Sequence, residues 1–188
     1  MNIVEANTKP AFAVWITGLP SSGKSTLAAA LAAQLRTRGT DVAVLESDVL
    51  RHVLTPHPDY SEEERDAFYR ALVYVGRLLV EHGVPVIFDA TANRRIYRQR
   101  AREQIKRFLE VYVDCPLAVC QERDAKGIYR KAQEGAASTV PGLQTAYEPP
   151  ERPEATVRGD LERPQEAARR VLAKLTENNY VAEHGSLA

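Results

Sequence analysis

No apolar run in the chain approaches the roughly 18 to 20 residues of a helical membrane span, which removes a membrane-spanning helix from the reading. The opening residues, MNIVEANTKP, lack the basic region and apolar stretch of a secretory signal, so a cytoplasmic protein with no membrane partner is expected by elimination. Neither sign of charge is in excess. With 25 lysines and arginines against 25 aspartates and glutamates, no overall field favours nucleic acid, and any site for a polyanion must be local. Cysteine is scarce. Cys115 and Cys120 fit neither a C-x-x-C redox pair nor a four-ligand zinc site, so two reduced and buried thiols are expected. No internal repeat is visible, and 188 residues, 44% of them hydrophobic and 27% charged, suit one domain, 1–188, whose core needs no disulfide or metal staple. Its ends, 1–10 and 177–188, are expected to be flexible.

What the chain does have is Phe12 to Thr26, FAVWITGLPSSGKST. A short strand-like run ends in Gly18, four residues follow (Leu19, Pro20, Ser21, Ser22), and then come Gly23, Lys24, Ser25 and Thr26 ahead of an alanine-rich helical stretch. This is G-x-x-x-x-G-K-[ST] between a strand and a helix, the setting in which the motif binds a nucleoside triphosphate. The glycines admit turns closed to other residues, so that successive N–H groups converge on phosphate oxygens. Lys24 adds a cation for the β- and γ-phosphates, Ser25 a hydroxyl for Mg²⁺, and the helix the positive end of its dipole. ATP and Mg²⁺ are the expected cofactors.

Beyond this loop, Leu27, Ala28, Leu31, Ala32 and Leu35 recur at helical spacing over 24–36, and Gly39 supplies a stop. DVAVLE, Asp41 to Glu46, reads as a buried strand with Ser47 and Asp48 at its carboxyl end, the side on which parallel sheets bind ligands. Asp48 is therefore expected to face the γ-phosphate, or to cap a helix beginning near Val49, and the two roles can coexist. LTPHPDY, Leu54 to Tyr60, is a loop beside the site. A long helix follows from Ser61 to His82, opened by a capping box of Ser61 and Glu64, with Phe68, Leu72, Val75 and Leu79 facing inward. Arg65 and Arg70 fall off that stripe and are either solvated or turned to a phosphate or sulfate.

Val84 to Phe88 is a third strand closed by Asp89, a second acid that either helps hold Mg²⁺ or only satisfies the strand end. The basic stretch Ala90 to Arg107, helical after Asn93, reads as a solvated face whose first turn brings Arg94 or Arg95 near an anionic substrate. Phe108 to Asp114 is a fourth strand, and Pro116 suits the start of a helix running to Arg123. Residues 124–153, rich in Gly, Pro and Lys, form a long loop whose Lys126, Arg130 and Lys131 suit a lid over phosphates. A short strand at 155–158 and a helix from about 163 to 175, with Ala167, Val171 and Leu175 inward, complete the domain, and 176–188 is expected to fray. Strands separated by helices give an α/β fold, three layers with a parallel sheet of about five strands, helices on both faces and a lid.

Two blocks carry a resemblance: ESDVLRHVL at Glu46 to Leu54, and FLEVYVDCPLAVCQERDAKGIYRKA followed by AYEPP within Phe108 to Pro150. With the phosphate loop, they make the chain resemble the adenylyl-sulfate (APS) kinase family from Val14 to Pro153. The resemblance implies a P-loop, nucleoside-kinase-like fold in which ATP and Mg²⁺ phosphorylate the 3'-hydroxyl of adenylyl sulfate to 3'-phosphoadenylyl sulfate, in sulfate assimilation. By similarity, Asp48 and Lys24 are catalytic. Arg123, Lys126 and Arg130 join the phosphate loop in binding ATP, and Ser25, Asp48 and Asp89 serve the metal. Arg51, Tyr60, Arg65, Phe68, Arg70 and Lys131 bind the small anionic substrate, with Tyr60 where the family commonly stacks a phenylalanine on adenine. A homodimer is also suggested.

The chain departs from the family's pattern on the acceptor side. Glu46 and Ser47 replace the first two residues of D-G-D, Phe68 and Tyr69 replace asparagine and isoleucine, Thr91 to Asn93 replace I-S-P, and Val140 replaces a second stacking phenylalanine. The ATP side is retained. A related kinase with another small hydroxyl acceptor, such as a carbohydrate or an antibiotic, or a nucleotide-binding regulatory module, stays open at this stage.

Overall fold

The computed structural model describes residues 11–182 apart from 125, 136 and 138, so the expected flexibility of 1–10 and 183–188 lies outside the described residues. Its apolar runs form five parallel strands, β1 (Ala13–Gly18), β2 (Ala43–Glu46), β3 (Val86–Asp89), β4 (Phe108–Asp114) and β5 (Ala155–Arg158), in the order β2-β3-β1-β4-β5. Between and around them run α1 (Lys24–Thr37), α2 (Ser47–Leu54), α3 (Glu62–Glu81), α4 (Arg95–Gln104), α5 (Leu117–Arg123), α6 (Ile128–Gln133) and α7 (Pro164–Glu177). All of β1 is buried, because it is the middle strand, paired on both edges and covered on both faces.

Alternation along β1 divides the core. Val14 and Ile16 face α1 and α7, meeting Leu27, Leu31, Leu35, Val171, Leu172 and Leu175. Ala13 and Trp15 face α3 and α4, meeting Phe68, Leu72, Tyr97 and Ala101. Each such aliphatic side chain, fully buried, contributes about 1.5–3 kcal/mol. A smaller cluster of Cys115, Cys120, Tyr129, Ala132 and Val140 lies beneath α5 and α6. The parallel register sets Asp89 beside both Ile16 and Glu46, and Gly18 beside Val113, so the phosphate loop and the acidic strand ends emerge on one edge. Among the described residues no helix is long and apolar enough to cross a membrane.

Several expectations are corrected. Strand β2 is half-buried rather than buried, since it lies at the sheet's edge with one neighbour. Helix α2 begins at Ser47, two residues earlier than read, so Asp48 sits in its first turn and Glu46 occupies the cap position. The buried face of α3 runs through Arg65, Phe68, Tyr69, Leu72, Val73 and Gly76, so Arg65 lies on the stripe and Val75 and Leu79 beside it. Helix α4 is not simply a solvated face. Arg98 is 1% exposed, its Nε donating to Glu110 Oε1 at 2.6 Å and its two terminal nitrogens to the carbonyls of Ala92 and Glu148. The long loop contains α6, and the tail does not fray at once: Tyr180 stacks on Phe12 at 6.1 Å and Val181 is buried.

Candidate active site

Gly18 is required by contact as well as by conformation. With φ at 155°, a Cβ there would meet the Val113 carbonyl at 2.6 Å and Ser22 Oγ at 2.8 Å. Ser21 takes a left-handed turn, and Gly23, at φ 104°, occupies the cap position of α1 with no side chain closing the helix end. The first-turn residues Lys24, Ser25 and Thr26 line the cavity, and N–H groups at an uncapped helix start suit an anion. Lys24 is 8% exposed, and its Nζ donates to the Leu19 carbonyl at 2.7 Å, which holds the ammonium over the loop. Burial lowers its pKa, while Asp89 and then Asp48 act against that shift. Ser22 Oγ is buried without a partner.

The loop forms the floor of a cavity of about 1220 Å³. Pro20 through Thr26 line it, together with Asp48, Asp89, Arg123 and Lys126. Gly18 and Leu19 lie behind it, the first packed on Val113 and the second holding Lys24 through its carbonyl. Asp48 reaches in from α2 and is ion-paired with Lys126, just before α6, whose pKa this bond raises. Asp89 is 6% exposed at the end of β3. Among the described residues no group of three or more histidines, cysteines or acids could hold a metal by itself. Ser25, Asp48 and Asp89 line one cavity as hard oxygen donors, and that is the set Mg²⁺ uses when phosphate oxygens and water complete its shell.

The half of the cavity expected to take the acceptor is lined by Arg51 and Tyr60. The Arg51 guanidinium donates to Glu64 Oε1 at 2.6 Å and lies over the Phe68 ring at 4.0 Å and the Tyr60 ring at 5.1 Å. Arg65 uses its fork on the protein: Nε donates to the Tyr60 carbonyl at 3.0 Å, Nη2 to the Thr139 carbonyl at 2.7 Å and Nη1 to Asn93 Oδ1 at 3.5 Å. It thereby ties Tyr60 to Thr139 across the cavity, and burial lowers its pKa. Lys131 of α6 and Val140 also line the cavity.

Not every expected residue reaches the cavity. Phe68 is buried beneath Arg51, and Arg70 points outward, 65% exposed and paired with Asp66 at 3.3 Å. Arg130 is not among the lining residues; its N–H donates to Asp124 Oδ2 at 2.9 Å. Arg94 and Arg95 are engaged by Glu62 and Glu151. Conversely, the cavity includes residues not assigned to a site from the sequence, where Tyr69 stood only as an acceptor-side departure. Tyr69, whose hydroxyl accepts the Ala92 N–H at 2.9 Å, lines the acceptor half, and Arg158 to Pro164 line the far side of the phosphate loop. Glu64 stands behind Arg51, and the only sequence signal for it was the capping box.

A family model described as adenylylsulphate kinase matches residues 10–158. An adenylyl-sulfate kinase of Microcystis aeruginosa (strain NIES-843 / IAM M-2473) is 42% identical over 168 residues, covering 89% of this chain and 93% of its own. A solved Mycobacterium tuberculosis APS kinase, in complex with AMPPNP and APS, is 33% identical at a TM-score of 0.83, covering 88% of this chain and 98% of that one. A sugar kinase from Janibacter sp. HTCC2649 shares the fold, at 20% identity and a TM-score of 0.64 over 93% of this chain and 100% of that one.

Proposed function

Because the chain belongs to the adenylylsulphate kinase family, we propose that its cavity transfers the γ-phosphoryl group of ATP to the 3'-hydroxyl of adenylyl sulfate, giving 3'-phosphoadenylyl sulfate. The observation that carries this reading is that one cavity joins the phosphate loop, Asp48 and the Arg51–Tyr60 half. Donor and acceptor thus have separate walls with an acid between them. Phosphoryl transfer is mostly positioning and charge stabilisation, and these walls supply both.

On the donor side, the loop amides and Lys24 bind the triphosphate, with Arg123 and Lys126 above it. When bound, Mg²⁺ would be held by Ser25, Asp48 and Asp89 and would offset the charge shared by the β- and γ-phosphates. On the acceptor side, Asp48 orients the 3'-hydroxyl and takes its proton. Lys126 now neutralises that carboxylate, so the triphosphate, by drawing the lysine to itself, frees Asp48 for the acceptor. Arg51, Tyr60, Arg65 and Lys131 form the wall for the anionic nucleotide. Both side chains of the Lys126–Asp48 pair are more than half exposed, and such pairs are weak enough to exchange partners. A homodimer and a cytoplasmic location, where ATP is at hand, belong to the same reading.

The test is incubation of the protein with ATP, Mg²⁺ and adenylyl sulfate, with the products separated by ion-exchange chromatography. Formation of 3'-phosphoadenylyl sulfate together with equimolar ADP is expected. ADP released at the same rate without adenylyl sulfate would overturn the reading.

A further inference from the structure

Glu64 opens α3 in the sequence pattern of a capping box, but its carboxylate does not close that box. The forward half is made, the Glu64 N–H donating to Ser61 Oγ at 3.2 Å. The return half is missing, because the Ser61 N–H donates instead to Asp59 Oδ1 at 2.8 Å. Glu64 Oε2 is left to accept the N–H groups of Asp59 at 2.6 Å and Tyr60 at 2.8 Å, while Oε1 accepts from Arg51 at 2.6 Å. One carboxylate thus fastens α2 and the acceptor loop to the start of α3. The loop needs that hold: Tyr60 has φ at 56°, a left-handed conformation that costs a β-carbon-bearing residue energy and persists only where the surroundings impose it. The partners are well shielded, since the Arg51 and Glu64 side chains are 11% and 15% exposed.

From this geometry we infer that Glu64 is the positioning residue of the acceptor subsite, holding the Arg51 plane and the Tyr60 ring as one unit for the nucleotide acceptor. The inference rests on the acceptor wall proposed above. Glu64 itself is not among the residues lining the cavity, so its effect passes through Arg51 and Tyr60. Losing it therefore affects the acceptor and spares ATP, whose phosphate loop lies on another wall. A merely structural residue at a helix start would lower stability and move both substrates alike.

Glu64→Gln keeps the shape and one acceptor oxygen but removes the charge facing Arg51. Steady-state kinetics are expected to show the KM for adenylyl sulfate raised at least tenfold, the KM for ATP within twofold of the parent, and recovery to within about threefold in Glu64→Asp. Unchanged acceptor KM, or an equal rise in both KM values, would overturn the inference. Should Glu64→Gln fail to fold, the double variant Arg51→Gln/Glu64→Gln, which leaves no unpaired buried charge, is compared with Arg51→Gln alone. Because Glu64 still holds the Asp59 and Tyr60 N–H groups when Arg51 is replaced, a further rise in the acceptor KM over that single variant, with the KM for ATP within twofold of it, supports the inference; an acceptor KM equal to that of the single variant, or an equal rise in both KM values, overturns it. The parent enzyme separates the two readings: if it does not phosphorylate adenylyl sulfate, the proposed function fails, whereas if it does and Glu64→Gln is indifferent, only the role of Glu64 fails.

Discussion

In the proposed reading Asp48 is the residue on which donor and acceptor converge, and its position follows from the chain itself: helix α2 starts without a loop after β2, so the first-turn carboxylate lines the same cavity as the phosphate loop. Changing Asp48 to Asn keeps the volume and removes the proposed base. Loss of a positioned general base typically lowers turnover by about 10² to 10⁴-fold, so kcat in Asp48→Asn is expected to fall by that factor while calorimetry still detects ATP binding. A variant with parent-like kcat would remove Asp48 from the chemistry. Arginine shows the opposite side of the same scale. Arg51, Arg65, Arg70 and Arg98 are alike as letters, yet one is stacked between rings, one braces loop to lid, one is solvated and one is buried against Glu110. Partners assigned by the fold decide which of them retains free donors for a ligand. Cys115 and Cys120 behave as read, free and buried, and burial followed by the neighbouring Cys115 pushes the Cys120 thiol up to about 12.

At the scale of elements, two close approaches test how the site is carried. The first is at Gly159, just past β5, where a Cβ would lie 2.2 Å from the Ser22 carbonyl and 2.8 Å from Val113 Cγ1. The contact is with the backbone of the phosphate loop, so Gly159→Ala must push the loop itself. Overpacking of this kind costs about 1–3 kcal/mol, and if that cost falls on the bound loop the KM for ATP should rise by about tenfold or more. The second is at Gly76 in α3, where a Cβ would lie 2.1 Å from Phe88 Cζ on β3. Phe88 is fully buried and stacked on Trp15 at 4.6 Å, so the ring has nowhere to turn. Gly76→Ala is expected to lower unfolding stability by about 1–3 kcal/mol with the KM for ATP little changed, which denaturant titration and kinetics check together. Equal ATP affinity in Gly159→Ala would show that β5 does not buttress the loop.

Over the whole molecule, the sheet brings the phosphate loop and the acidic strand ends to one edge, and binding there stabilises the native state against the unfolded one. Saturating ATP with Mg²⁺, at 100 times its dissociation constant, should add about 2.7 kcal/mol to unfolding stability. Thermal denaturation should show the rise, and chelating Mg²⁺ should remove much of it; a midpoint indifferent to nucleotide would count against the site. Much of this architecture was legible beforehand. The order of the strands and of every helix but α6, the phosphate loop, the Ser61 cap and the inward faces of α1 and α7 depend on periodicity and on residues a few positions apart, and those interactions are already present in the chain as written. The strand order, the edge position of β2, the burial of Arg98 and the diversion of Glu64 from its cap to Arg51 depend on contacts between distant segments. Glu64 meets Arg51 across 13 positions, and Arg65 meets Thr139 across 74. Local spacing determined that an anion cradle and its flanking acids exist; only tertiary packing decided which charges around them are neutralised by the protein and which remain for a substrate, because a charge's partner is set by proximity in space and not by order along the backbone.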